Sequence, residues 1–307
     1  MSNDSIQSWA DAIVRLHGAT FAPEGSALPS QPVPQAQRQE PAYLAALQAC
    51  SALGFIAIDA ETLACAWQAQ TLRRGRFEAT LWPDDPRDFG LEGADPALAF
   101  PGCPRSLGLY GVLPDAQWVG RMARAGVPTV QLRFKSEDRD AIAREVRAAV
   151  AAVEGTGALL FINDHWREAI DAGAYGVHVG QEDLDALAGA DLQAIHASGL
   201  RLGVSTHGYA EMVRAHAVQP SYIALGAVFP TTLKKMATAP QGLARLGAYV
   251  RLMQRYPLVA IGGISADQFP AVRATGVGSV AVVRALVNAE DPEAAAQQLL
   301  ASMQAAD

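Results

Sequence analysis

The chain is short of positive charge: 24 Lys and Arg stand against 31 Asp and Glu, for a net charge of −7 and a pI near 5.4. Nucleic acids and acidic membrane surfaces require a basic face, so neither is an expected partner, and any anionic ligand must be held by a local cluster of cations. Cysteine is scarce as well. Cys50, Cys65 and Cys103 all precede residue 104. An odd count without paired spacing fits reduced thiols in a cytoplasmic protein and offers no cysteine metal site. No apolar run approaches ~18 residues, and the opening Met1-Ser2-Asn3-Asp4-Ser5 is polar, so neither a membrane span nor a signal peptide is expected. Two motifs are also missing: a Gly-rich dinucleotide fingerprint after a first strand, and an acid placed to make a serine triad obvious.

What is present is a half-hydrophobic chain of 307 residues, enough for one large domain and a smaller one. Ile6, Trp9, Ile13 and Leu16 recur at helical spacing and Gly18 follows, predicting a helix over 5–17. Pro23, Pro29, Pro32, Pro34 and Pro41 mark residues 19–41 as a mobile linker. Helical patterns over 43–53 and 60–72, the second with Asp59 as its N-cap, predict a hairpin anchored by Trp67. Residues 82–105 are rich in Pro, Asp and Gly and read as irregular chain. Residues 1–104 therefore form a mainly helical N-terminal extension without a catalytic constellation, a packing or partner-binding appendage.

From Leu107 onward, apolar strand-length runs alternate with helical patterns. The expected strands are 107–113, 129–134, 158–163, 176–180, 201–205, 222–226, 258–262 and 279–283. Eight such units make residues 105–307 an α/β domain, a (β/α)₈ TIM barrel, with a doubly wound sheet as runner-up. Functional residues of a barrel gather just past the strand carboxyl ends.

Several groups fall there. Asp164 and Asp183 end adjacent strands and can either cap the following helices or share a cation. Gln131, Arg133 and Lys135 alternate with Leu132 and Phe134, so three polar side chains face the barrel mouth, where buried cations need an anionic partner. Mg²⁺ takes one or two carboxylates and completes its shell from substrate phosphates and water. Hydroxyls and cations recur in Thr231-Thr232-Leu233-Lys234, and glycines in Gly262-Gly263. The Val283-Arg284 segment matches the usual barrel site for a second phosphate. Ser205 is placed to hydrogen-bond a phosphate. His178 faces inward, and a satisfied core histidine is weighed against a ligand contact.

Taken in order, six segments resemble the thiamine phosphate synthase family over roughly residues 105–305. They are Gln131-Leu132-Arg133-Phe134-Lys135, Ile162-Asn163-Asp164, the run from Gly176 to Leu184, Gly203-Val204-Ser205-Thr206-His207, Phe229-Pro230-Thr231 with Lys234, and Ala260-Ile261-Gly262-Gly263-Ile264. The resemblance implies a Mg²⁺-dependent transferase acting on small molecules. It would join hydroxymethylpyrimidine diphosphate to thiazole phosphate and release pyrophosphate. It further implies that Gln131, Leu132, Arg133, Phe134, Lys135, Asn163, Ser205 and Lys234 hold the pyrimidine diphosphate, with Arg133, Lys135, Ser205 and Lys234 catalytic. Asp164 and Asp183 would bind Mg²⁺. Thr231, Thr232, Leu233, Gly263, Val283 and Arg284 would hold the thiazole phosphate. The implied reaction is dissociative and needs no protein nucleophile. Leu233 stands where the family often has threonine, and Arg284 replaces a small serine. Two rivals are a thiazole tautomerase, which has little need for a metal-diphosphate site, and a silent barrel that senses thiamine precursors through the extension. A homo-oligomer is compatible with each reading.

Overall fold

The structure, a computed structural model, describes residues 3–22, 28–93, 95–231 and 239–304. Three helices come first: α1 (Asn3–His17), α2 (Pro41–Ala52) and α3 (Ala57–Arg74). Proline begins α2 at a position where its missing N–H has no helical partner to lose. The irregular stretch then holds two short 3₁₀ turns, Pro86–Phe89 and Pro96–Leu98, opened by the side chains of Asp85 and Asp95.

Eight parallel strands close into a barrel in sequence order. They are β1 (Gly108–Leu113), β2 (Thr129–Leu132), β3 (Leu159–Asn163), β4 (Gly176–Val179), β5 (Arg201–Thr206), β6 (Tyr222–Leu225), β7 (Leu258–Ile261) and β8 (Ser279–Val282). Between and after them run α4 (Ala116–Arg124), α5 (Arg139–Val153), α6 (Trp166–Ala172), α7 (Gln181–Ala186), α8 (Gly189–Ala197), α9 (Tyr209–Ala217), α10 (Gly242–Met253), α11 (Phe269–Arg273), α12 (Arg284–Val287) and α13 (Pro292–Gln304). Aspartates start two of the longer helices: Asp115 accepts from the Trp118 N–H, and Asp138 from Asp140 and Ala141. Among the described residues no helix is long and apolar enough to cross a membrane.

Strand parity divides the core in two. Val130, Leu132, Leu160, Ile162, Val177 and Val204 point outward to the helices. Tyr110, Phe161, Tyr222, Val259 and Ala281 fill the interior. The large rings inside need small neighbours: a Cβ on Gly176 would lie 2.5 Å from Phe161 Cε1, and one on Gly203 would overlap the Tyr222 ring. Phe161 and Tyr222 meet edge to face at 5.0 Å.

The extension shares the outer core, so Ile13, Tyr43 and Trp67 belong to the same apolar cluster as the barrel's Leu160 and Val204. Trp82 Nε1 donates to Tyr209 Oη at 3.0 Å, and Phe89 stacks on the Tyr209 ring at 5.5 Å. Arg245 on α10 lies over the Phe55 ring and donates to Leu53 O at 3.0 Å. Two local expectations change. Asp59 lies inside α3, which begins after Ile56, and its carboxylate caps α9 instead, accepting the Ala210 N–H at 2.9 Å. The proline-rich stretch is partly anchored: Phe21 is buried, the Gln31 N–H donates to Ser51 O, and the Gln37 N–H donates to Tyr43 Oη. Residues 23–27 of that stretch lie outside the described residues.

Candidate active site

A cavity of about 840 Å³ opens where the strands end, within the size range of small-molecule sites. Parity carries Gln131 into it, and the direction persists beyond the end of β2, so that Arg133 and Lys135 also line it. By the same alternation Leu132 is buried in the outer core and Phe134 packs against it. Neither side chain lines the cavity, as the alternation of the segment predicts, so what Leu132 and Phe134 can offer a ligand is backbone.

Asn163 and Asp164 both reach the cavity, by different means. Asn163 follows Phe161 and Leu159 inward. Asp164 would face outward if the strand continued, but it adopts the left-handed region at φ 65, which redirects its side chain. Its N–H donates to His178 O at 2.9 Å, and its carbonyl accepts the Trp166 N–H at 2.8 Å. Strained backbone in a non-glycine residue at a strand end is the kind of outlier that marks function.

Asp183 lies in the first turn of α7 and faces Asp164 across the rim. Burial pushes the Asp164 carboxyl above its ordinary pKa, and the Asp183 carboxylate pushes it further; Lys135, whose Nζ is 3.4 Å from Asp164 Oδ2, pulls the other way. A half-buried Asp164 beside an exposed Asp183 at the open rim fits a hard cation with oxygen ligands. Among the described residues no group of three or more His, Cys, Asp or Glu side chains gathers as a metal site. Two carboxylates are what Mg²⁺ needs when phosphate oxygens and water complete its shell.

Below the rim a polar chain crosses the barrel. Gln131 Nε2 donates to Tyr110 Oη at 2.9 Å, Tyr110 Oη and Tyr222 Oη are 2.8 Å apart, His178 Nδ1 is 2.6 Å from Tyr222 Oη, and His178 Nε2 is 2.8 Å from Ser205 Oγ. Burial raises the pKa of both phenols, so they act as neutral hydrogen-bonding groups. His178 is therefore a satisfied core histidine that also lines the cavity and orients Ser205. Sequence reasoning missed Tyr110 and Tyr222. The signal was the inward parity of each on its strand, which set two hydroxyls among the apolar side chains of the interior, within reach of Gln131 and His178.

Thr231 lies on the far wall, while Thr232, Leu233 and Lys234 lie outside the described residues. Gly262 and Gly263 take φ values of 104 and 68, and side chains there would collide with Ala227 and with Phe229 and Pro230. Their glycine requirement comes from seating the loop after β7 against the loop after β6, where the Phe229 N–H donates to Gly262 O at 2.9 Å. Val283 and Arg284, at the start of α12, complete the rim on that side.

A closed (β/α)₈ barrel whose carboxyl-end rim gathers paired acids, cations and hydroxyls around one cavity has the architecture of a TIM-barrel enzyme that acts on small molecules. The chain belongs to the thiamine monophosphate synthase family, whose sequence model matches residues 112–286. It is 57% identical over 197 residues to a thiamine-phosphate synthase of Neisseria meningitidis serogroup B, covering 64% of this chain and 95% of that protein. It is 52% identical over 206 residues to one from Serratia proteamaculans, covering 67% and 96%. Among solved structures it resembles a thiamine phosphate pyrophosphorylase from Pyrococcus furiosus, with a TM-score of 0.59 and 28% identity over 66% of this chain and 98% of that one.

Proposed function

We propose that this chain is a thiamine-phosphate synthase, which joins hydroxymethylpyrimidine diphosphate to thiazole phosphate with Mg²⁺ bound and releases pyrophosphate. The observation that carries the reading is the convergence of Asp164, Asp183 and Lys135 on one rim of a barrel of this family. Asp164 and Asp183 would hold Mg²⁺, which supplies Lewis-acid neutralisation of the diphosphate. The bond between the pyrimidine methylene carbon and the diphosphate oxygen breaks with its electron pair on oxygen. The thiazole nitrogen lone pair then forms the new carbon–nitrogen bond.

No protein nucleophile takes part. Arg133 and Lys135 stabilise charge developing on the leaving group, in the manner of a preorganised anion hole. Lys234 is assigned the same role. Gln131 and Asn163 orient the pyrimidine, and Ser205, held by His178, donates its hydroxyl to the diphosphate. On the other wall Thr231, Gly263, Val283 and Arg284 receive the thiazole phosphate, and Thr232 and Leu233 are assigned to the same phosphate. Orientation of the two reactants accounts for much of the remaining barrier reduction. We assign the catalysis to residues 105–307 and place it in the cytoplasm, with small molecules as the ligands.

The test combines purified protein, both phosphorylated precursors and Mg²⁺. Equal release of pyrophosphate and thiamine phosphate is expected. Isomerisation of the thiazole without pyrophosphate would establish a tautomerase instead, and binding without turnover a silent barrel.

A further inference from the structure

Gly208, the residue before α9, is extended at φ −179 and ψ −174, a conformation open to any side chain. What excludes a side chain is the extension: a Cβ at Gly208 would overlap the Asp59 carboxylate, with Asp59 Cγ only 2.7 Å away. A helix ordinarily receives its first-turn cap from the side chain of the residue just before it. Here that residue has none, and buried Asp59 accepts the Ala210 N–H at 2.9 Å from the far side of the seam. On the cavity side of the same turn, Glu211 Oε2 accepts the His207 N–H at 2.8 Å and pairs with His207 Nδ1 at 2.7 Å. Ser205, Thr206 and His207 all line the cavity. One carboxylate from the extension and one from α9 therefore grip the turn that forms this wall.

We propose that Asp59 is a positioning residue for the barrel site: α3 supplies the cap that α9 lacks, and so holds the Ser205–His207 wall of the pyrimidine-diphosphate subsite. What the wall binds rests on the synthase reading above, whereas the grip itself rests on the contacts alone.

Loss of a helix cap corresponds to a factor of several in an equilibrium, so Asp59→Ala is expected to raise KM for hydroxymethylpyrimidine diphosphate about tenfold and KM for thiazole phosphate less than about twofold. Amide exchange across residues 205–211 is expected to accelerate in the same variant. Asp59→Asn keeps an acceptor oxygen and is expected to stay within about threefold of wild type. Gly208→Ser alone should behave like Asp59→Ala through crowding. The double variant Asp59→Ala/Gly208→Ser restores a local cap in the vacated space and should recover KM to within about threefold. Ile13→Val, buried in α1, serves as the control for lost stability; it is expected to lower Tm and leave both KM values in place. The proposal is overturned if Asp59→Ala resembles Ile13→Val in KM and in exchange at 205–211, or if the double variant fails to recover. Should wild type show no turnover while Asp59→Ala still accelerates exchange there, the substrate reading falls and the grip stands.

Discussion

The barrel mouth and the seam under α9 each hold a carboxyl whose pKa is raised, and they differ in where the answering charge comes from. At the seam, burial pushes Asp59 up to about 6 with the Glu211 carboxylate adding to the rise, opposed by the Ala210 N–H and by the Arg245 guanidinium. Those partners belong to the chain, and Arg245 is itself buried over Phe55. In the mouth, Asp164 is raised by burial and then by a second acid, and it faces an 840 Å³ cavity with a lysine on its edge. A perturbed carboxyl alone cannot separate packing from function. The space beside it can: the seam is filled and the mouth is open.

The contrast breaks most visibly at Asp164. Asp164→Ala is expected to lower kcat by about 10³-fold or more, the scale of losing a main electrostatic stabiliser, with circular dichroism unchanged. Chelation should abolish turnover in wild type and added Mg²⁺ restore it. Full activity in the variant would mean that the open carboxyl pair is only structural. The corresponding seam variant should act on stability. Trp82→Ala removes the donor to Tyr209 Oη and a ring packed on Phe21 and Phe55, and is expected to cost about 3–4 kcal/mol in urea unfolding.

Both regions were only partly legible in the sequence, for the same physical reason. Strand runs report on one element at a time, so β3 was expected at 158–163 and is found at Leu159–Asn163. The inward faces of Gln131, Arg133 and His178 follow from local alternation and are observed. Asp164 could be placed at a strand end, yet its route into the cavity depends on a left-handed turn that alternation does not encode. Asp59 looked like the cap of its own helix because capping motifs are local, while its real partner lies 151 residues away. Tyr110 and Tyr222 were hidden likewise: each is an unremarkable strand residue until the barrel closes and sets their hydroxyls 2.8 Å apart.

A pH titration sharpens the seam half of the contrast. A carboxyl raised from 3.8 to about 6 on folding binds more protons in the native state between those values, so its contribution to stability is complete below about pH 4 and is lost as pH rises through 6. Asp59→Asn removes that dependence. The variant should exceed wild type by on the order of 2–3 kcal/mol above pH 7, with the difference closing below about pH 4. A constant difference at all pH values would mean that the Asp59 proton is not the source.

The smallest expected effect tests the mouth at its weakest contact. Lys135 is 64% exposed in its side chain and stands 3.4 Å from Asp164, an arrangement worth about 0–1 kcal/mol in folding. If pairing with Asp164 were its whole role, Lys135→Ala would change little beyond a slight shift in Tm. Charge placed beside a departing diphosphate behaves differently, because it is desolvated and engaged only once the ligand fills the cavity. Lys135→Ala is accordingly expected to lower kcat/KM for the pyrimidine diphosphate about tenfold, equivalent to roughly 1.4 kcal/mol, while leaving Tm within about 2 °C. Lys135→Arg should recover part of the loss, since it keeps the charge but changes its geometry. A fall in Tm that tracks the fall in turnover would assign Lys135 to the closed kind of charge found under α9.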